Sequence, residues 1–384
     1  MRRFCCLLFL LASSLYSQTP QQPAVVRTGD YEVSLRLPIA GLFAREEMEI
    51  ELHVADVTRP DPLTGYAPVI RAVIETRIDM PEMPGMPVYR EQAHAEGVPG
   101  DYGVHPTFAH GGAYRLRFTV KPPIGAAFDG EFPLAVADEA EGRKRKAALP
   151  PRYTIELSLN PKRPKAGESA ELRFVIRDRE NPKAVFNSFE VVHETLFHLI
   201  IVRSDLAHFA HEHPEKQPDG SFVLRYRFAA GGEYRLFADV APAGAGSQIL
   251  SVKASIGGSE GERFRITAAE KAAARTIENV AFSLTDAKVL PAKKTVSIPV
   301  RIESAGQPVS DLEPYLGVQG HFLLVHEDGA TFVHSHPSEG ETTPGTLRFL
   351  ARFPKDGLYR GWVQVKRNGR ILTADFVLQA GLAQ

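Results

Sequence analysis

The chain holds 13 histidines in 384 residues, and nine of them fall in two stretches. The first runs His198-Leu-Ile-Ile-Val-Arg203-Ser-Asp-Leu-Ala-His208-Phe209-Ala-His211-Glu-His213-Pro214, with His193 just upstream. The second runs from His321 through His326 to His334-Ser-His336-Pro337. A constant offset of 123 maps His198 onto His321, His211 onto His334 and His213 onto His336. His208, Arg203 and His193 map onto Thr331, His326 and Leu316, so three histidines recur and the others do not.

Residues two apart on a strand share a face, which puts His211 and His213 together with Phe209. The polar stretch Ser204–Ala207 suits a four-residue hairpin loop. That loop pairs 203 with 208 and 198 with 213, bringing His198 opposite His213 with His211 on the diagonal. The third copy repeats this with His321, His334 and His336. Three neutral imidazoles on one face make a first shell for Cu²⁺, with Zn²⁺ or Ni²⁺ as alternatives. The apolar run after each leading histidine equally fits hydrogen-bonded structural corners, and duplication copies either arrangement.

At the corresponding place in the first third of the chain stands Met80-Pro-Glu-Met83-Pro-Gly-Met86-Pro, followed by His94, His105 and His110. Thioethers are soft ligands for Cu(I) that survive oxidising compartments, so Met80, Met83 and Met86 are candidate ligands. Methionines also plug irregular core edges, and that use stays open beside the first.

What must position these residues is legible as repetition. Gly112-Ala-Tyr114, Gly232-Glu-Tyr234 and Gly357-Leu-Tyr359 each open a run of alternating apolar residues, at offsets of 120 and 125. Copy openings agree too: Tyr31, Val33, Leu35 and Leu37 against Tyr153, Ile155, Leu157 and Leu159. A Gly-x-Tyr opening a late strand matches the tyrosine corner of immunoglobulin-like sandwiches. The expected fold is all-β, with three tandem immunoglobulin-like β-sandwich domains over residues 24–137, 152–256 and 277–380. Charged residues 138–151 and the Gly/Ser- then Ala/Glu/Lys-rich residues 257–275 read as linkers, with a helical turn near Ala268–Arg275.

Composition agrees with a globular chain: 43% hydrophobic, 24% charged, formal net charge −1. That excludes a disordered or coiled-coil chain and gives no electrostatic reason for nucleic-acid binding. Both cysteines, Cys5 and Cys6, lie in the first six residues. Arg2 and Arg3, the apolar run Phe4–Ala12 and the small residues up to Ser17 read as a signal peptide over residues 1–17. Its removal leaves no cysteine, hence no disulfide and no thiolate ligand. A soluble periplasmic or secreted chain without an integral membrane segment is expected.

The stretch Met80–Met86, Gly97-Val-Pro-Gly100-Asp-Tyr and Gly111-Gly112-Ala-Tyr114 resembles the YtkA-like family of small exported bacterial domains. The third copy, from Pro308-Val309 through Gly320-His321 to His334-Ser-His336-Pro337 and Gly357-Leu-Tyr359, resembles another exported β-domain found beside copper-handling proteins. The resemblance implies an immunoglobulin-like fold and metal handling. The function expected is therefore binding or buffering of a transition metal, copper first, by a non-enzyme, with an envelope protein as a further partner. The alternatives are a structural or interaction protein of the cell envelope, and a cupin-like metalloenzyme built on His334, His336 and Glu341. No Gly-x-Ser-x-Gly, His-Glu-x-x-His or phosphate-binding loop favours other chemistry.

Overall fold

The computed structural model describes residues 24–61, 65–83, 85–267, 274–285, 289–338 and 343–381. Residues 1–17 with Cys5 and Cys6, and Glu341 of the cupin-like spacing, lie outside these. Three tandem β-sandwiches follow one another, each built because alternate strand residues are apolar and need a second layer to cover them.

In the first sandwich Tyr31–Arg36, Ile50–Asp61 and Asp101–Val104 make one layer, and Val73–Asp79, Gly112–Lys121 and Phe128–Ala137 the other. Tyr89–Ala95 pairs with both: Ile74 opposes Ala93 in one layer, and His94 opposes Gly103 in the other. The result is a continuous ten-stranded wrap in place of two separate sheets. In the second sandwich Tyr153–Asn160, Ser169–Asp178 and Phe222–Arg227 cover a sheet of His198–Arg203, Phe209–Glu212, Gly232–Pro242 and Gln248–Ile256. The third repeats this with Val280–Leu284, Thr295–Ser304 and Thr346–Arg352 over His321–His326, Phe332–Ser335, Gly357–Arg367 and Arg370–Ala380.

The tyrosine corner is present three times. Tyr114 donates to the carbonyl of His110 (3.0 Å), Tyr234 to Ala230 (2.9 Å) and Tyr359 to Lys355 (3.0 Å). The preceding Gly112, Gly232 and Gly357 have φ of 142°, 122° and 131°, which explains why glycine stands there.

Each sandwich has its own core, and a fourth apolar cluster lies between the second and third. Leu199 and Ile201 point into the second core, while Ile200 and Val202 point out against Leu323, Val325, Phe332 and Trp362 of the third sandwich. The continuous apolar run thus serves two layers. The contacts are reciprocal. Phe209 stacks on Trp362 (centroids 4.4 Å, 8°), and Phe237 stacks on Phe332 (5.0 Å, 21°). Phe209 and Phe332 occupy matching positions in the two copies, as do Phe237 and Trp362, so the sandwiches meet about a local two-fold.

Two linker expectations change. Residues Glu139–Ala148 form a helix, supported by the i,i+4 pairs Glu139–Arg143 and Glu141–Arg145, with Gly142 buried against Phe43. Ala274–Ile277, where the end of a helical turn was expected, is a strand paired with Val280–Leu284. The rest of that expected turn, residues 268–273, lies outside the described residues. No helix among the described residues is long and apolar enough to cross a membrane.

Candidate metal centre

The first histidine hairpin has the register its loop length implies: Leu199 opposes Glu212, Ile200 opposes His211 and Val202 opposes Phe209. Its turn is closed by Arg203 N–H to the carbonyl of His208 (3.1 Å) and by Asp205, which accepts from Ala207 N–H (3.1 Å). The second has the same register, Leu323 opposing His334 and Val325 opposing Phe332. His198, His211 and His213 each bring a ring nitrogen within 4.8 Å of the others, and so do His321, His334 and His336.

Both triads lie on the sheet faces that meet between the second and third sandwiches. Across that boundary the ring centroids of His211 and His321 are 5.5 Å apart, and those of His198 and His334 are 5.6 Å apart. His193, from the turn before the first hairpin, joins the other triad at 3.9 Å from His336.

Hydrogen-bond partners define the tautomers. His198 Nε2 is 2.9 Å from the carbonyl of Val192, and His321 Nε2 is 3.0 Å from that of Tyr315. A carbonyl only accepts, so both Nε2 atoms carry the proton and both Nδ1 atoms are bare. His211 Nδ1 faces Gln364 Oε1 at 2.9 Å and His334 Nδ1 faces Asp239 Oδ2 at 2.7 Å, leaving their Nε2 atoms bare. Yet His198 Nδ1 lies 3.1 Å from His211 Nε2, and His321 Nδ1 lies 3.2 Å from His334 Nε2. His336 Nε2 is 3.1 Å from His334 Nε2. His213 Nε2 is buried with no hydrogen-bond partner.

Burial and the neighbouring imidazoles hold His211, His321 and His336 well below the ordinary histidine range, and the same causes act on His334. Burial lowers His198 and takes His193 and His213 down to about 4. The rings are therefore neutral near pH 7, and bare lone pairs face one another with no proton between them. Two nitrogens bound to one ion at 2.0–2.1 Å stand about 2.8 Å apart at a right angle and about 3.4 Å apart at the tetrahedral angle, and the 3.1–3.2 Å seen here lies between.

The remaining candidates fall elsewhere. Met80 is half-buried, with its methyl against Gly112, while Met83 is 45% exposed and Met86 half-buried. Their loop is a succession of turns, Met83 N–H to Met80 O and Met86 N–H to Met83 O. His326 is a satisfied corner that donates from Nε2 to the carbonyl of Asp356 (3.1 Å) and accepts from Asp328 N–H at Nδ1 (3.1 Å).

Asp239 and Gln364 escaped sequence reasoning, although each is the polar residue two places after an aromatic on the outward face of its strand. A further group, Glu91, His94 and His105, has ligand atoms within 4.8 Å in the first sandwich. The sequence shows the two histidines but not their partner, because Glu91 and His94 lie on Tyr89–Ala95 while His105 follows Asp101–Val104, the strand paired with it.

Fold and site together define a tandem-sandwich protein whose second and third domains carry paired histidine hairpins. The chain belongs to the family described as Domain of unknown function (DUF8832), whose profile matches residues 150–253 and again residues 275–381. The match covers the two histidine-bearing sandwiches, so the likeness of the first to YtkA-like domains rests on its motifs alone. A comparison with curated proteins gives no match.

Among solved structures, the chain is similar to FdeC, an Escherichia coli adhesin (15% identity, 91% of this chain and 97% of that one, TM-score 0.19). It is also similar to a tetra-tandem repeat from the extending region of a large adhesion protein (12%, 90% and 73%, TM-score 0.20). A third likeness is to invasin, a bacterial integrin-binding protein (12%, 91% and 60%, TM-score 0.18). Scores this low leave the sandwich fold resting on the sheets and registers above.

Proposed function

We propose that the protein is an exported, non-enzymatic binder of transition-metal ions, copper first with zinc or nickel as alternatives. The ligands are His198, His211 and His213 in one triad and His321, His334 and His336 in the other. One observation carries the reading: neutral imidazoles whose other nitrogens are already engaged turn bare lone pairs on each other at 3.1–3.2 Å. Without a cation that arrangement is repulsive, and with one it is a first shell. The corner role of His198 and His321 is compatible with this, because the turn carbonyls engage only Nε2.

The Met80–Met86 loop belongs to this reading as a surface where Cu(I) is first met. Met83 supports that role by its exposure, whereas Met80 is engaged in packing. Titration of untagged protein with Cu²⁺, Zn²⁺ and Cu(I) tests the assignment. Binding tighter than micromolar that is lost in a His211→Ala/His213→Ala/His334→Ala/His336→Ala variant is expected. Absence of binding, or unchanged binding in that variant, overturns it and favours the second reading, an envelope interaction module. The shared apolar interface that joins two sandwiches into one stiff unit is what supports that second reading.

A further inference from the structure

The two triads are not separate sites on separate domains. Each is completed from the opposite sandwich: Gln364 of the third orients His211 of the second, and Asp239 of the second orients His334 of the third. His193 of the second sandwich lies against His336 of the third. Ring centroids across the boundary are 5.5–6.2 Å apart, little farther than the 5.3 Å between His198 and His211 within a triad.

We infer that the six histidines form one dinuclear centre at the interdomain boundary, in which two ions interact and fill in a set order. This rests on the metal reading above and deepens it. The order follows from a break in the local two-fold at the residues that orient the rings. Asp239 and Gln364 occupy matching places, but one carries a carboxylate and the other a neutral amide. A carboxylate accepting from the distal N–H makes a histidine a stronger donor. It also offsets part of the charge an ion brings into a buried site. The ion at His321, His334 and His336 therefore binds first, and the ion at His198, His211 and His213 binds second and more weakly, against the charge of the first. Asp239 and Gln364 are positioning residues here, acting through His334 and His211.

The test titrates the full chain with Cu²⁺ alone, following bound copper by elemental analysis and electron paramagnetic resonance. Two ions per chain are expected. The first equivalent should give an isolated Cu²⁺ signal, and the second should broaden it or reduce the intensity per ion. His211→Ala/His213→Ala, checked for an unchanged circular dichroism spectrum, should bind one ion with a full isolated signal. The isosteric Asp239→Asn should weaken the first binding event about ten- to a hundred-fold, and Gln364→Ala should leave that event unchanged. Two ions with unbroadened, additive signals would overturn the pairing while leaving metal binding intact. Equal sensitivity of both events to Asp239→Asn would overturn the order. No bound copper at all would remove the metal reading and this inference with it.

Discussion

His334 Nδ1 sits 2.7 Å from Asp239 Oδ2, and the matching atom of His211 sits 2.9 Å from Gln364 Oε1. Each pair crosses from one sandwich to the other, so a polar residue of one domain sets the tautomer of a ring in its neighbour. Replacing Gln364 with Leu removes the acceptor and leaves the His211 N–H buried without a partner. A loss of about 1–3 kcal/mol in urea unfolding of the metal-free protein is expected. A stability equal to wild type would mean that the amide does not orient the ring.

The interface cluster makes a separate prediction. Trp362 is 5% exposed and fills the gap between Phe209 and the outward face of its own sheet. Trp362→Ala should cost about 3–5 kcal/mol. Because the three domain cores are untouched, the cost falls on docking. Calorimetry should then resolve unfolding of the second and third sandwiches that coincides in wild type. A single shifted transition would mean that the two domains unfold together without this contact.

Metal loading should stabilise the chain in proportion to free ion. At a hundred times Kd the gain is about 2.7 kcal/mol for one site, read as a rise in Tm that a chelator reverses. Replacing His198 and His321 with Phe should abolish the rise. A ligand-induced rise that survives this replacement would place the ion elsewhere, with Glu91, His94 and His105 the next group to mutate.

Rising pH should weaken the first sandwich through Glu51. Burial, then the Asp101 carboxylate, raises its carboxyl to about 8, against an ordinary value of 4.5. Between those values the folded chain keeps a proton that the unfolded chain releases. Stability is therefore full below pH 4.5 and is lost as pH rises towards 8, by up to about 1.4 kcal/mol per pH unit. Urea midpoints measured from pH 5 to 8 should fall more steeply for wild type than for Glu51→Gln. Parallel slopes would assign the proton to another group.

Each hairpin was legible because loop length alone determines which residues oppose one another. Once Ser204–Ala207 is a four-residue loop, His198 must meet His213, and the observed pairing of Leu199 with Glu212 has that register. The tyrosine corners were legible for a similar reason, since a glycine with positive φ followed two residues later by tyrosine is a local device. The meeting of the two triads was not legible. It depends on which outward faces dock, and the apolar Ile200 and Val202 say that something covers them without saying what. The 139–148 helix was read as linker because its charges suggest solvent, although Glu–Arg pairs four apart are what hold an exposed helix together.

The chain has a single tryptophan, and the fold places it at the seam, parallel to Phe209 at 4.4 Å and two residues before Gln364. Its indole emission is thus a natural optical gauge with one source and one location. Separation of the sandwiches would bare the indole to water and shift its emission to the red. A paramagnetic ion held by the neighbouring rings would quench it without a shift. The protein therefore carries its own means of telling domain opening from metal capture in a single cuvette.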